Sequence, residues 1–256
     1  MNSRRSRSQR AERVGWGVAC LAASVTFITC DGRNPPTPTA AYNEHEWIEE
    51  TRSVGSFRGL VLSMPGNLRI EQGPGQTLRI NGEMILLPSI VSQVRDGILK
   101  IWLKPEYFQH PGPLTEFVLS TPTLESAELG DLGTISCSGL DVERLSLRLT
   151  DAGELDFPNL RVSELEVTTA HNTGSVHVSG RVDRQSIELS GIADYEARDL
   201  HSSQARVSLS GSGSATVRVD DLLTVTITGS GSVYYLGDPE VESTITGSGQ
   251  VVPLGR

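Results

Sequence analysis

A four-residue turn that returns every 18 to 21 residues restricts this chain more than any other feature. The turn cores are Gly130–Gly133, Thr150–Gly153, His171–Gly174, Ser190–Ala193, Ser210–Gly213, Thr228–Gly231 and Thr246–Gly249, the last three reading Ser/Thr-Gly-Ser-Gly. Their final positions, 133, 153, 174, 193, 213, 231 and 249, are separated by 20, 21, 19, 20, 18 and 18 residues. Self-similarity at such a period marks a solenoid, in which each repeat buries its apolar side only against its neighbours. Seven coils are expected over residues 126–255.

The flanks of the turns show which side chains face inward. Immediately before the turn stand Leu129, Leu149, Ala170, Leu189, Leu209, Ile227 and Ile245. Two residues after it come Ile135, Leu155, Val176, Tyr195, Ala215, Val233 and Val251, and four after it Cys137, Phe157, Val178, Ala197, Val217, Tyr235 and Pro253. The positions between those two columns are Ser136, Asp156, His177, Glu196, Thr216, Tyr234 and Val252, mixed and mostly polar. Apolar residues alternating with polar ones are the signature of a strand with one buried face, and the three- and four-residue spacing of a helix is missing. Glycine in each bend is read as a residue that reaches positive φ without a Cβ penalty. The third coil, one residue longer, is expected to carry a bulge. Coils stacked about 4.8 Å apart would make a rod about 30 Å long.

Upstream, Leu60–Leu62, Leu68–Ile70, Leu78–Ile80 and Ile98–Leu103 read as further strands, separated by Pro65-Gly66-Asn67, Gly73-Pro74-Gly75 and Asp96-Gly97 turns. Their spacing is irregular. Residues 55–125 are therefore read as the distorted first part of one β unit covering 53–255, with Pro105–Pro113 as a loop.

The N-terminus is of another kind. Arg4, Arg5, Arg7, Arg10 and Arg13 precede an uncharged run from Val14 to Thr29, the order of an export signal, and 16 residues fall short of the ~20 that cross a bilayer as a helix. Residues 1–30 are read as that signal. The Phe27-Ile28-Thr29-Cys30 string resembles a bacterial lipoprotein box, which makes Cys30 the lipid-attachment residue and the Pro/Thr-rich, acidic stretch 31–52 a tether. The competing reading is a plain signal peptide cleaved near Ala40 or earlier. Two acyl chains anchor a protein stably where one holds it only marginally. Three cysteines, two of them in this N-terminal segment, give no disulfide framework. The net charge of −9, spread along the chain, excludes nucleic acid as a partner.

Phe57-Arg58-Gly59, Ile70–Gly73, Leu87-Pro88, Val94–Leu99, the late Ser-Gly-Ser-Gly turns and Tyr234–Pro239 together resemble the putative autotransporter adhesin head GIN domain, over about residues 53–255. The resemblance implies a right-handed, single-stranded parallel β-helix on an exported bacterial protein. It supplies no catalytic residues.

Chemistry is sparse. His45, His110, His171, His177 and His201 lack metal-ligand spacing, and no cofactor is expected. Cys137, in a core column, reads as a packed thiol. None of the glycine strings is followed by Gly-Lys-Ser/Thr, and none carries the recurring Asp of calcium-binding nonapeptides. A polysaccharide-cleaving β-helix would need carboxylates gathered on one outward face. The candidates are Asp156, Glu196 and Asp194 with Arg198, and Glu128, Arg148 and Glu188, interrupted by neutral rungs at 168, 177 and 208. The reading is a non-catalytic envelope protein whose rod contacts a glycan, a protein or another copy through its coil ends. A carbohydrate-active β-helix enzyme is the alternative.

Overall fold

The computed structural model describes residues 46–107 and 114–255. The signal segment, Cys30 and most of the tether lie outside the described residues, as do residues 108–113 of the loop. In chain order the strands are β1 (Trp47–Ser53), β2 (Gly59–Ser63), β3 (Gly66–Gln72), β4 (Thr77–Glu83), β5 (Ile90–Arg95), β6 (Ile98–Leu103), β7 (Thr115–Thr121), β8 (Ser126–Leu129), β9 (Gly133–Cys137), β10 (Leu140–Leu149), β11 (Glu154–Asn172), β12 (Ser175–Gly191), β13 (Asp194–Leu209), β14 (Ser214–Ile227), β15 (Ser232–Leu236), β16 (Glu240–Ile245) and β17 (Gln250–Gly255). All belong to one wound sheet.

From β8 onward the chain repeats a three-sided coil. In the coil that starts on β10, Leu145, Leu147 and Leu149 point inward from the first side, Leu155 and Phe157 from the second, and Leu160 and Val162 from the third. Corners fall at 150–153, 158–159 and 163–164, where the in–out alternation breaks. Parallel pairing keeps each column in register, as in Leu147↔Val167 and Leu155↔Val176. Each large aliphatic so buried stabilises the stack by roughly 1.5–3 kcal/mol relative to exposure. Seven corner layers delimit about six full turns.

The turn glycines answer to a different requirement from the one expected. Among the seven corners, only Gly133 and Gly191 have positive φ. Most of the others are needed because the corners stack backbone on backbone, Gly130 being the exception with nothing closer than 3.4 Å to an added Cβ. A Cβ on Gly229 would stand 2.0 Å from the Gly211 carbonyl oxygen, and one on Gly247 would stand 1.9 Å from that of Gly229. The same approach lets the amides of Ser212, Ser230 and Ser248 donate to the carbonyls of Gly191, Gly211 and Gly229 at 2.8, 3.0 and 3.1 Å.

The long third coil does carry a register shift, between Thr169 and Asn172. It moves the column by one residue, so Thr169 rather than Ala170 faces the core between Leu149 and Leu189. Its buried hydroxyl is matched by Ser190, whose amide donates to Thr169 Oγ1 at 3.2 Å.

The irregular N-terminal part turns out to be two more layers and a cap. β2 and β3 stack in parallel on β8 and β9, with Leu62↔Leu129, Leu68↔Ile135 and Ile70↔Cys137. β6 and β7 lie on their other side, with Leu62↔Ile101 and Leu68↔Phe117. Beyond these, β4 runs antiparallel to β7, β5 antiparallel to β6, and β1 antiparallel to β4. Residues 47–52 are thus not tether but cap. Arg52 fastens it, donating from Nη1 to the Ile90 carbonyl at 2.8 Å and from Nη2 to the Leu87 carbonyl at 3.0 Å. At the other end, among the described residues, β16 and β17 pair only with β14 and β15 beneath them, and all six residues of β16 are exposed.

Candidate functional site: grooves along the outer columns

Because the coils stack in register, outward side chains at one position form a ladder parallel to the rod. At the corner between the third and first sides, the ladders that start at Arg144 and Ser146 are the two banks of a groove of about 630 Å³. Its floor is the column Leu145, Leu165, Gln185 and Ala205, and it runs from Glu125 to Leu222 and Thr224.

One bank is an ion ladder. Glu164 sits between Arg144 and Arg184 on consecutive rungs, one oxygen ion-paired with Arg144 Nε at 3.1 Å and the other accepting a hydrogen bond from Arg184 Nη2. The hydrogen bond from Arg184, then the charge of Arg144, hold the Glu164 carboxyl below its ordinary pKa. A group so held is a poor proton donor at neutral pH. On the opposite bank, Ser146, Glu166, Ser186 and Arg206 follow one another. The groove therefore presents three arginines and three glutamates, counting Glu125, among hydroxyl and amide groups: many hydrogen-bonding partners, little net charge.

In neither of the two groups weighed as a carboxylate cluster do the carboxylates fall on adjacent rungs. Glu128, Arg148, Thr168, Glu188 and Ser208 succeed each other down the first side, so Thr168 stands between Arg148 and Glu188. Asp156, His177 and Glu196 occupy successive rungs at a shallow groove of about 340 Å³, with Arg198 beside them. His177 Nε2 there lies 3.8 Å from Glu154 Oε1, and Arg198 Nε lies 3.7 Å from Glu196 Oε1. Asp194 serves the corner instead, accepting from the amide and hydroxyl of Ser214 at 2.9 and 2.7 Å. Among the described residues, no three His, Cys, Asp or Glu side chains are placed to hold a metal ion. His45 and His110 lie outside the described residues, as does the side chain of His171. His201 is exposed on the third side.

Cys137 is buried with its thiol donating to the Gly139 carbonyl at 3.2 Å, and desolvation raises its pKa, the opposite of an activated nucleophile. A second interior feature has no counterpart in the sequence reading. Tyr195 donates to Gln185 Oε1 at 2.8 Å, Gln185 Nε2 donates to Ser202 Oγ at 2.8 Å, and Ser202 donates to the Arg218 carbonyl at 2.7 Å. All three side chains are buried and each polar group has a partner, so the chain of bonds pins the register of three coils. The Arg144–Glu164–Arg184 ladder also went unread, although its 20-residue step is that of the turns.

Stacked coils with polar grooves on their flanks and an interior filled by their own side chains define a β-solenoid. The family described as putative auto-transporter adhesin, head GIN domain, matches residues 56–239, and the chain belongs to it. Membership places it among exported, surface or envelope proteins. A putative adhesin from Bacteroides fragilis has a similar structure (TM-score 0.74, 20% identity, 82% of this chain and 97% of that one). So does a putative adhesin from Parabacteroides distasonis (TM-score 0.67, 19% identity, 82% and 98%). A putative lipid binding protein from Parabacteroides distasonis is also similar (TM-score 0.66, 20% identity, 83% and 98%). At these identities the likeness is one of fold. A search of curated proteins gives no match.

Proposed function

We propose that the protein is a non-catalytic rod of the cell envelope, held to a membrane by lipid on Cys30, that binds an extended, hydroxyl-rich polymer such as a glycan along the Arg144–Leu222 groove. The observation that carries this reading is the groove's continuity over successive rungs, with a hydrogen-bonding side chain at every one. A chain of sugar units lying along it meets alternating guanidinium, carboxylate, amide and hydroxyl groups, each able to hydrogen-bond hydroxyls. Two arginines hold Glu164 ionised, which makes it unsuited to the general-acid role that glycoside cleavage requires. An acyl-chain ligand is disfavoured because an apolar channel would be needed and the interior columns are filled by side chains.

The test is binding of immobilised polysaccharides, neutral dextran and acidic polygalacturonate among them, with the supernatant assayed for new reducing ends. Binding that weakens at least tenfold in Glu166→Ala/Arg206→Ala, with no product, is expected. Reducing ends would replace this reading with a carbohydrate-active enzyme; binding untouched by the double substitution would remove the groove from the account. Intact mass spectrometry of the native protein tests the anchor: a diacylglyceryl mass lost in Cys30→Ala is expected, and an unmodified N-terminus beyond residue 30 contradicts it.

A further inference from the structure

The charges of the Arg144–Leu222 groove are segregated along its length. Taken rung by rung, its banks face each other as Arg144 with Ser146, Glu164 with Glu166, Arg184 with Ser186, Gln204 with Arg206, and Leu222 with Thr224. Glu125, Glu164 and Glu166 against Arg144 make the first part acidic. On the next two rungs the lining side chains are Arg184, Gln185, Ser186, Gln204, Ala205 and Arg206, two cations and no anion. The carboxylates flanking that stretch in sequence serve other surfaces: Asp183 lines the third-side groove, and Glu188 belongs to the outer column of the first side. Leu222 and Thr224 separate it from Glu240 and Glu242 further along. The two cations are open to a ligand. Among the described residues Arg206 has no hydrogen-bond or ion-pair partner, and Arg184 is engaged only through Nη2, by Glu164. The floor beneath them passes from Leu145 and Leu165 through Gln185, whose amide is held by Tyr195 and Ser202, to Ala205, the smallest side chain of the column.

We infer, building on the glycan-binding role proposed for this groove, that the two rungs form a carboxylate subsite, and that the polymer bound is an acidic polysaccharide whose uronate units are set among neutral ones. A guanidinium presents its N–H groups in a planar fork that matches a carboxylate. Arg184 and Arg206 stand on facing banks, on rungs about 4.8 Å apart. One carboxylate lying between them can accept from both, with the Ser186 hydroxyl and the Gln204 amide beside it. The short Ala205 side chain leaves the space between the banks open to that group. The acidic first part supplies the other half of the specificity. Glu166, two rungs from Arg206 on the same bank, has no ion-pair partner among the described residues and disfavours a second anion beside it. Hydroxyl-bearing units are accepted there, and a chain charged on every unit is repelled, so that selection works by rejection as well as by attraction.

Titration of the intact protein with soluble glucuronoxylan, in which isolated uronate side groups hang from a neutral chain, and with its carboxyl-reduced derivative tests the subsite. Glucuronoxylan should bind at least tenfold more tightly than the reduced polymer, with an advantage that shrinks as salt is raised. Arg206→Gln keeps a hydrogen-bonding group at an exposed position; it should erase the advantage and leave the affinity for the reduced polymer unchanged. Glu166→Gln should preserve the advantage and strengthen binding of heparin, a chain dense in charge. Equal binding of the two xylans, or an advantage that survives Arg206→Gln, overturns the subsite and leaves the groove a binder of neutral glycan. Heparin bound more tightly than glucuronoxylan by the unsubstituted protein overturns the requirement for spaced uronates. Binding of neither xylan contradicts the glycan-binding role itself, and the subsite with it.

Discussion

At the N-terminal end, strands that run the other way cover the last parallel layers, and Leu78 and Ile80 on β4 are as buried as any residue in mid-rod. At the C-terminal end, the inward columns finish on Val241 and Ile245, over a third exposed. Both ends belong to one stack with the same columns, so the contrast isolates what a cap contributes. The reversed strands take up the edges of the last parallel layers, and a charged clamp, Arg52 on two carbonyls, holds β1 in place. The open end has only Pro253 and two glutamates to discourage growth, the usual devices of an exposed edge.

Matched truncations give the largest separation between the ends. Ile80→Ala should cost roughly 2–5 kcal/mol, because it leaves a cavity in a fully enclosed column. Ile245→Ala should stay within about 1 kcal/mol, as surface positions do. Equilibrium urea unfolding measures both, and equal losses would break the comparison. Next in size, Arg52→Met removes two charge-assisted bonds to carbonyls and should cost about 1.5–3 kcal/mol. Hydrogen exchange should then rise first in β1 and β4 and leave β16 unchanged. Gly229→Ala should cost about 1–3 kcal/mol by driving a Cβ into the Gly211 carbonyl, as overpacked sites do. Gly75→Ala, where nothing stands within 4 Å of the added Cβ, should be nearly silent.

The smallest effect is electrostatic. The folded pKa of Glu164 lies below its ordinary value, so its contribution to stability is present above the ordinary carboxylate pKa and is lost as pH falls through the folded one. In Arg184→Gln the Glu164 midpoint, followed by carboxyl carbon NMR, should rise towards the ordinary value, with only a slight change in melting temperature.

The regular half of the fold was legible because its columns recur locally: Leu149, Leu155 and Phe157 predict Leu189, Tyr195 and Ala197 by spacing alone. The β2–β3 layer obeys the same rule, with Leu62, Leu68 and Ile70 placed around Gly66 as Leu129, Ile135 and Cys137 are around Gly133. It escaped notice because the two glycines are 67 positions apart instead of 20. Between them the chain leaves the stack, builds β4 to β7, and returns to the uncovered face of β2–β3, a path that a period cannot encode. The bulge was legible as one extra residue, but which side chain it would turn inward, Thr169 or Ala170, depended on partners in neighbouring coils. The groove was half legible. Arg144, Glu164 and Arg184 stand at the turn period, yet their meeting depends on the bend at 163–164, where two successive residues point outward and no turn motif marks the place.

In the proposed function the outer ladders of the rod, not a single coil, contact an extended ligand. Residue-resolved backbone NMR of the rod with the polysaccharide it binds tests that directly. Shift changes recurring near 145, 165, 185 and 205, at the repeat period and on one flank only, are expected. Changes confined to one coil, or spread evenly around all three sides, would contradict it.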